Sequence, residues 1–226
     1  MVSTSHQFWH VNSPEGGTKL AQWAEEVDLE SVHCPANPGH QRAGKRITDL
    51  SVILPNAPVE DVVWTWYSEC LVQDHILRLF QRYQLTGYEV KPVRTRFKRP
   101  SGDSPPTLWE LVVTGWAGMA APDSGVKQIE YCPICRLRGY SPYSDASRLI
   151  DPCQWDGSDF FMVWPLPRYI FVNARVVEIL RKHTVSGIRI QSLRDLKAKY
   201  TLGGGRLSYW MPEARAKALG GPLDIE

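Results

Sequence analysis

The residues best suited to chemistry are Cys132 and Cys135, which form a Cys-x-x-Cys pair. Two thiolates at this spacing in a tight turn can bind one Zn²⁺ ion with tetrahedral geometry. A pair supplies half of a four-ligand site, and an earlier loop offers Cys34 and His40, with His33 adjacent and turn-forming residues between. Thiolate and imidazole are the ligands of closed structural zinc sites. We therefore predict a structural zinc site made of Cys34, His40, Cys132 and Cys135.

Other interpretations of these cysteines stay open. Spacing alone does not separate the metal site from a free cysteine pair beside two ordinary loop residues. Thioredoxin-like redox chemistry is less favoured, because it needs a helix directly after the pair, whereas Gly139 and Pro142 follow here. No nucleophile elbow or protease signature surrounds any cysteine, so we predict that the protein is not an enzyme.

The segment 155–161 is a second candidate site, with two carboxylates on a Gly/Ser turn between aromatic residues. Exposed aromatic residues beside fixed charges make good interface anchors. The predicted partner-binding residues are Asp151, Trp155, Asp156 and Asp159. The alternative is a capped turn in which Asp156 and Asp159 bond backbone amides while the neighbouring aromatic residues fill the core.

A basic run at residues 94–99, with Phe97 inside it, has the composition of a phosphate-binding segment. Lys and Arg number 26 against 24 Asp and Glu, and the net charge of +2 gives no general attraction to nucleic acid. A charged strand facing solvent is the commoner explanation of such a run. We therefore do not expect nucleic acid as the partner.

Two segments, 61–93 and 161–193, align without a gap at an offset of 100 residues. Apolar residues recur in both at helical spacing. Gly87 and Gly187 follow the predicted helices, as left-handed C-terminal caps would require, and a short strand follows each glycine. We predict an α+β fold, a mixed sheet with helices, built from two similar strand–helix–Gly–strand units. The alternative is that a common local pattern occurs twice by convergence.

The rest of the chain gives coarser predictions. We expect a first strand at 6–11, a polar helical stretch at 20–24 and one strand at 108–116. Residues 201–226 predict a tail that is a short helix or partly mobile. With 43% hydrophobic residues in 226, the chain can bury a substantial core, and we expect one domain over 1–226.

The cysteine count and the N-terminal residues predict the cellular compartment. The five cysteines are an odd number, which favours thiols or metal over a disulfide framework. The N-terminal residues do not form a secretory signal, and no window approaches a membrane span. We therefore expect a cytoplasmic protein that does not contact a membrane.

Six short segments together form a recognisable set: Cys34-Pro35-Ala36, Asp49-Leu50-Ser51, Leu108-Trp109-Glu110-Leu111, Cys132-Pro133-Ile134-Cys135, Asp159-Phe160-Phe161 and Ile170-Phe171-Val172. With them the sequence resembles the myxobacterial double-CxxCG motif family over roughly residues 30–196. It departs from the motifs twice: Asn37 occupies the place of the first motif's second cysteine, and Arg136 replaces the glycine of the second motif. The missing cysteine leaves His40 as the nearest substitute ligand.

Members of that family look like immunity proteins encoded beside polymorphic toxins, and their paired motifs imply a four-ligand zinc site. The resemblance implies a non-catalytic inhibitor that binds a cognate toxin encoded by an adjacent gene. If the toxin is a nuclease, Asp151, Asp156 and Asp159 would imitate phosphate charges. The alternative function is a zinc-binding nucleic-acid-binding or regulatory module that uses the arginine-rich strand.

Overall fold

The computed structural model describes residues 7–14, 20–55, 58–99, 102, 104–197 and 201–226. Mixed sheets and α-helices confirm the predicted α+β fold. The first strand begins at Phe8, and His6, where we expected it to start, lies outside the described residues. None of the helices in the described ranges has the length and apolar composition of a membrane crossing.

Helices and strands are numbered in chain order within the described residues. The helices are α1 (Asp74–Arg82), α2 (Ala174–Lys182) and α3 (Glu213–Gly220). The strands are β1 (Phe8–Asn12), β2 (Gln22–Trp23), β3 (Leu29–Val32), β4 (Arg42–Arg46), β5 (Ser51–Leu54), β6 (Val62–Trp64), β7 (Cys70–Gln73), β8 (Tyr88–Phe97), β9 (Leu108–Val113), β10 (Gly115–Met119), β11 (Gln128–Tyr131), β12 (Arg138–Tyr140), β13 (Phe160–Trp164), β14 (Ile170–Asn173) and β15 (Arg189–Ser192).

Two large mixed sheets carry the fold. The six-stranded sheet has the order β2-β5-β8-β9-β7-β6, with β5 and β8 parallel. The five-stranded sheet has the order β10-β13-β14-β1-β15, with β10 and β13 parallel. Two further pairs, β3-β4 and β11-β12, are two-stranded hairpins outside these sheets. Their connecting loops carry Cys34, Cys132 and Cys135.

The two units predicted from the offset of 100 residues have the same order of elements: a hairpin, a helix and a strand. The hairpin registers differ, because Val63 pairs with Leu71 in the first unit and Phe161 with Phe171 in the second. The connection between the hairpin strands is thus two residues longer in the second unit. The gapless alignment therefore matches the helices, while the first strands correspond at an offset of 98.

The predicted capping role of Gly87 and Gly187 is wrong. The left-handed residue after each helix is Gln84 or Thr184, both at φ 50. Each occupies the C′ position of a Schellman motif, in which the amides of Leu85 and Val185 bond carbonyls of the last helical turn. Gly87 and Gly187 also have positive φ, but they stand three residues further on, where the two units meet.

The two units hold each other through reciprocal hydrogen bonds. The Asp159 carboxylate accepts from the Thr86 backbone amide at 2.9 Å, and the Asp61 carboxylate accepts from the Ser186 amide at 2.9 Å. Between the helix ends, the Tyr83 hydroxyl lies 3.0 Å from His183 Nε2, a pair that is itself 100 residues apart. This arrangement, called here the clasp, gives the molecule an approximate two-fold relation.

Backbone contacts make the clasp close. The Phe160 amide donates to the Thr86 carbonyl at 3.0 Å, and the Val62 amide donates to the Ser186 carbonyl at 3.2 Å. A Cβ at Gly87 or at Gly187 would lie 2.0 Å from the carbonyl oxygen of Phe160 or Val62, respectively. Glycine is required at both positions because the other unit's backbone occupies the side-chain space.

One apolar cluster includes residues of both units and of the C-terminal segment, with Leu207, Ala216 and Ile225 from the latter. Helix α3 lies in the tail that we predicted to be a short helix or partly mobile. Its Ala216 packs into the cluster. The tail is therefore part of the core in this structure.

Two local predictions are corrected by the sheets. The stretch at 20–24 is not helical, since Gln22 and Trp23 pair with Ile53 and Val52 as an edge strand. The stretch at 108–116 is two strands in different sheets, divided at Thr114. The division arises because the amides of Thr114 and Gly115 both donate to the Gly87 carbonyl instead of continuing one ladder.

His10 on β1 gives a pH-dependent contribution to stability. It is 6% exposed, its Nδ1 has no partner, and burial lowers its pKa to about 4. Between about pH 6.5 and 4 the unfolded chain binds a proton that the folded protein does not, so the free energy of unfolding falls as pH falls, by roughly 3 kcal/mol. Urea denaturation at pH 7 and pH 4.5 measures this. In His10→Phe, which keeps the ring stack on Tyr169, we expect the loss to shrink by that amount; an unchanged loss would contradict the assignment.

Candidate metal centre

Two hairpins present the predicted ligands to one another. The connection between β3 and β4 carries Cys34 and His40, and the connection between β11 and β12 carries Cys132 and Cys135. The two hairpins are about 100 residues apart in sequence, yet the four candidate ligand atoms all lie within 4.8 Å of one another. The structure thus brings together a Cys₃His cluster that can hold a metal ion.

Distances within the cluster fit a tetrahedral ion. The Sγ atoms of Cys34 and Cys132 are 3.9 Å apart, and Cys135 Sγ is 3.8 Å from His40 Nδ1. For Zn–S and Zn–N bonds of about 2.3 and 2.0 Å, tetrahedral geometry separates neighbouring ligand atoms by about 3.5–3.8 Å. These two distances therefore need only small adjustments, and every other pair of ligand atoms would close from at most 4.8 Å. Protein ligands would fill all four positions, as in structural zinc sites.

The Cys132–Cys135 turn has the backbone of a tight metal-binding loop. The Cys132 amide donates to the Leu137 carbonyl at 2.9 Å, and the Arg136 amide donates to the Cys132 carbonyl at 2.8 Å. Arg136 has a φ of 59°, a left-handed conformation that glycine adopts at no steric cost. This explains a glycine preference directly after such a pair. The Arg136 side chain also forms an ion pair with Asp224 at 2.8 Å.

The other loop holds His40 through Asn37. The Asn37 side-chain oxygen accepts from the Gly39 amide at 2.9 Å and so begins a short 3₁₀ turn that ends at His40. Asn37 Nδ2 lies 3.0 Å from His40 Nε2, and Glu130 Oε1 lies 3.4 Å from the same nitrogen. Asn37 therefore begins the turn that carries His40, at the place where the resembling motif has a ligand. His40 Nδ1 lies 3.8 Å from Cys135 Sγ and faces the cysteines.

Arg42, two residues after His40, bridges the hairpins. Its guanidinium donates to Cys135 Sγ at 3.4 Å and to the Cys135 carbonyl at 2.7 Å. Burial opposes ionisation of Cys135, but the hydrogen bond from Arg42 and that from the Leu137 amide outweigh it and lower the pKa of this thiol to about 6. A cation thus stabilises the thiolate form that a metal requires.

The other ligands have different environments. The Cys135 amide is the main cause that lowers the pKa of the Cys132 thiol. Burial raises the pKa of Cys34, and a hydrogen bond with Cys132 raises the pKa of His40. Amide-to-sulfur hydrogen bonds therefore favour the thiolate on the second hairpin, whereas at Cys34 the amides of Ala36 and Asn37 do not outweigh the effect of burial on the pKa.

The remaining candidates of the same chemistry lie elsewhere. His33 hydrogen-bonds Ser31 at 3.0 Å and is not one of the clustered residues. Cys70 is fully buried, which raises its pKa and makes it a core residue. Cys153 is an exposed free thiol.

The predicted binding segment 155–161 contributes its carboxylates to the fold. Asp159 is 3% exposed and accepts from Thr86, from Asn173 Nδ2 at 2.9 Å and from Arg175 at 3.1 Å. It therefore has almost no surface for a partner, and its assignment as a contact residue is corrected. Its role is to hold the second unit against the first.

The other predicted contact residues are also engaged. Asp156 accepts from the Trp116 amide at 3.0 Å and pairs with Arg215 at 2.8 Å. Trp155 donates to the Ser158 carbonyl and packs against Phe161. Asp151 accepts from the Cys153 amide within its own turn. These contacts match the capped-turn alternative, and a partner-binding role for Asp151, Trp155 and Asp156 stays a prediction.

Sequence reasoning missed the residues that surround the ligands. Arg42 contacts the Cys135 sulfur, and Glu130 and Asn37 lie against His40 Nε2, the ring nitrogen that faces away from the cysteines. Arg42 carried a usable signal, because a cation two residues after a predicted ligand, on a strand leaving the loop, is placed to neutralise thiolates.

Comparison with known proteins gives no match, either to a protein-family model or to an individual curated sequence. The geometry of the site and the resemblance of its motifs therefore carry the functional argument.

Proposed function

We propose that this chain is a zinc-stabilised binding protein of the immunity class, which neutralises a cognate polymorphic toxin without catalysis. The observation that carries the zinc assignment is the Cys₃His cluster, with ligand atoms within 4.8 Å. Closed four-ligand sites of this composition are structural, and their role is to fix loops. Here the ion would staple the β3–β4 hairpin to the β11–β12 hairpin.

Charge supports zinc in this cluster. Three thiolates and one Zn²⁺ ion carry a net charge of −1, and the Arg42 guanidinium beside Cys135 balances it. With the metal on Nδ1, the proton of His40 is on Nε2 and can point to the Glu130 carboxylate, while Asn37 Nδ2, which can donate to Nε2 only when that nitrogen is unprotonated, would turn away. A carboxylate behind a ligating histidine is a common outer contact at zinc sites.

Arg42→Met tests this outer contact. We expect zinc to bind about 10- to 100-fold more weakly in the variant, because outer contacts at zinc sites typically have effects of this size. Competition with a chromogenic chelator measures the affinity, and Lys45→Met on the same strand is the matched control. Equal affinities in the two variants would remove Arg42 from the site.

The immunity assignment is supported by the family resemblance together with this cluster. The Cys34 loop and the Cys132–Cys135 pair, both quoted for the resemblance, are the segments that meet at the metal centre. An inhibitor of this class acts by covering a toxin surface, and a stable complex buries about 1,200–2,000 Å² in total.

Co-expression tests the immunity function. The adjacent gene is expressed with and without this chain, cell survival is followed, and the two purified proteins are mixed in gel filtration. We expect rescue of growth and a stoichiometric complex. Toxicity that this chain does not relieve, or the lack of a complex, would overturn the proposal.

A second candidate function is favoured by the exposed face of β8. Arg94, Arg96 and Lys98 alternate with less exposed residues, so their side chains lie in one row about 7 Å apart. Such a row suits the phosphates of a nucleic acid. That function predicts binding of a single-stranded oligonucleotide with steep salt dependence, lost in Arg94→Glu/Arg96→Glu; the immunity function predicts no such binding.

A further inference from the structure

The large exposed apolar side chains of the described residues fall into two groups. One group surrounds the Cys132–Cys135 hairpin, and the other lies at the β6–β7 turn and the end of β4. The first consists of Ile129, Tyr131, Ile134 and Leu223, and the second of Ile47, Trp66 and Tyr67.

The β6–β7 turn displays two aromatic residues on a fixed backbone. Trp66 is 61% exposed and Tyr67 is 47% exposed. The Thr65 hydroxyl oxygen accepts from the amides of Tyr67 and Glu69 at 3.1 and 3.2 Å, and the Trp66 amide donates to the Ala21 carbonyl at 3.2 Å. The turn is therefore held by its own hydrogen bonds and by the neighbouring strand. A partner would not need to order it.

Tyr67 is oriented as well as exposed. Its ring lies 4.0 Å from the Trp23 ring, centroid to centroid, and Trp23 Nε1 donates to Glu69 at 3.2 Å. Aromatic residues in a preorganised position lose little conformational entropy on binding, and Trp and Tyr are enriched among the residues that dominate interface energetics. The turn thus has the features of a protein-binding hot spot.

The surface beside this turn carries several carboxylates. The segment 25–30, directly after Trp23, contains four carboxylates and no basic residue. Glu25 and Asp28 are exposed. The Asp28 carbonyl accepts from the amide of Ile47 at 3.0 Å, and Glu25 stands two residues after Trp23, whose ring lies against Tyr67. Arg46 is largely buried and pairs with Glu110, with Glu69 4.0 Å away. Exposed cations of the neighbouring strands are Lys45, two residues before Ile47, and Arg94 and Arg96, whose charges act on Glu26. Glu25 and Asp28 keep their negative charges exposed beside the aromatic residues.

The group at the metal end lacks this bias. Tyr131 is stacked by Arg138 at 4.4 Å, and Arg136 and Arg138 both pair with Asp224. Two guanidinium groups share the Asp224 carboxylate, and Glu130 on the same hairpin is a second exposed carboxylate, so neither sign of charge predominates. It serves as a matched control because its side chains are similarly exposed.

We infer that Trp66 and Tyr67, flanked by Ile47, Glu25 and Asp28, form the surface that docks on the toxin, and that the toxin presents a cationic face with an apolar centre. This inference rests on the proposed immunity function and adds the contact residues and the partner's charge. A groove that binds nucleic-acid phosphates has this charge. This surface has aromatic and acidic side chains, the same kinds of residue that led us to predict a contact surface at 155–161.

The test titrates the purified adjacent-gene product against four forms of this chain by surface plasmon resonance. The forms are the wild type, Trp66→Ala/Tyr67→Ala, Glu25→Lys/Asp28→Lys and the control Ile129→Ala/Tyr131→Ala, each checked for an unchanged thermal midpoint. We expect at least about 100-fold weaker binding for the aromatic variant. For the charge variant we expect about 10-fold slower association with a flattened salt dependence, and for the control a change below about threefold.

The outcomes separate the two proposals. Tight wild-type binding that both surface variants retain would overturn this docking surface and leave the immunity function standing. Loss of binding in the control but not in the aromatic variant would move the interface to the metal end and likewise overturn the inference. A wild-type chain that does not bind the product at all would overturn the immunity function, and the docking surface with it.

Discussion

Cys132→Ser is expected to abolish stoichiometric zinc binding and to lower Tm by on the order of 10 °C. The ligand links the two hairpins, and a metal at about a thousandfold excess over its Kd stabilises a fold by about 4 kcal/mol. In a chain of this size, each kcal/mol corresponds to about 2–4 °C. Elemental analysis of the purified protein and thermal denaturation with and without a chelator measure both effects.

Cys153→Ser is the control for this experiment, since that thiol is exposed and outside the cluster. It should keep one zinc per chain and the wild-type Tm. Chelation should lower the Tm of the wild type to that of Cys132→Ser. A wild-type Tm that does not respond to chelation, or a Cys132→Ser protein that keeps its zinc, would refute the structural site.

Gly87→Ala is expected to destabilise the protein by more than about 4 kcal/mol. The new Cβ would lie 2.0 Å from the Phe160 carbonyl oxygen, so the two units would have to separate at the clasp. Gly187→Ala meets the Val62 carbonyl oxygen at the same distance and should have a similar effect. Urea denaturation measures both changes in the free energy of unfolding.

Gly157→Ala separates backbone strain from contact. Its φ of 84° matches the 83° of Gly87, but a Cβ there has nothing within 4 Å. It should therefore show only the cost of a left-handed alanine, about 1–2 kcal/mol. Equal losses of stability in Gly157→Ala and Gly87→Ala would mean that the close contact at the clasp adds no cost beyond backbone strain.

The metal ligands were predictable because their chemistry is local in each loop. A Cys-x-x-Cys turn and a Cys/His loop each indicate two ligands from local sequence, and the cluster contains all four. The pairing of the loops was only a hypothesis from spacing, since no local pattern records that residues about 100 apart meet. Glu130 was missed for the same reason, because its contact with His40 exists only once the hairpins face each other. Arg42 could have been predicted from its place two residues after His40, but its contact with Cys135 could not.

The helices were predictable for a similar reason, and the sheets were not. The helical periodicity of 74–82 and 174–182 is a property of each segment alone. The break at Thr114 depends on the distant Gly87 carbonyl, and the strand at Gln22 depends on β5. Asp159 looked like a surface anchor because its burial depends on Thr86, 73 residues earlier in the chain, and on Arg175 of helix α2.

The position of β1 determines when the five-stranded sheet can be completed during synthesis. Phe8–Asn12 lies between β14 and β15, so its sheet partners are residues 170–192. At about 5–20 residues per second, a ribosome needs roughly ten to forty seconds to complete that interval. Until then the apolar side of the N-terminal strand has no native partner. The five-stranded sheet is therefore completed only after residue 192 has been synthesised, and the apolar side of β1 stays without its native partners in the nascent chain until then.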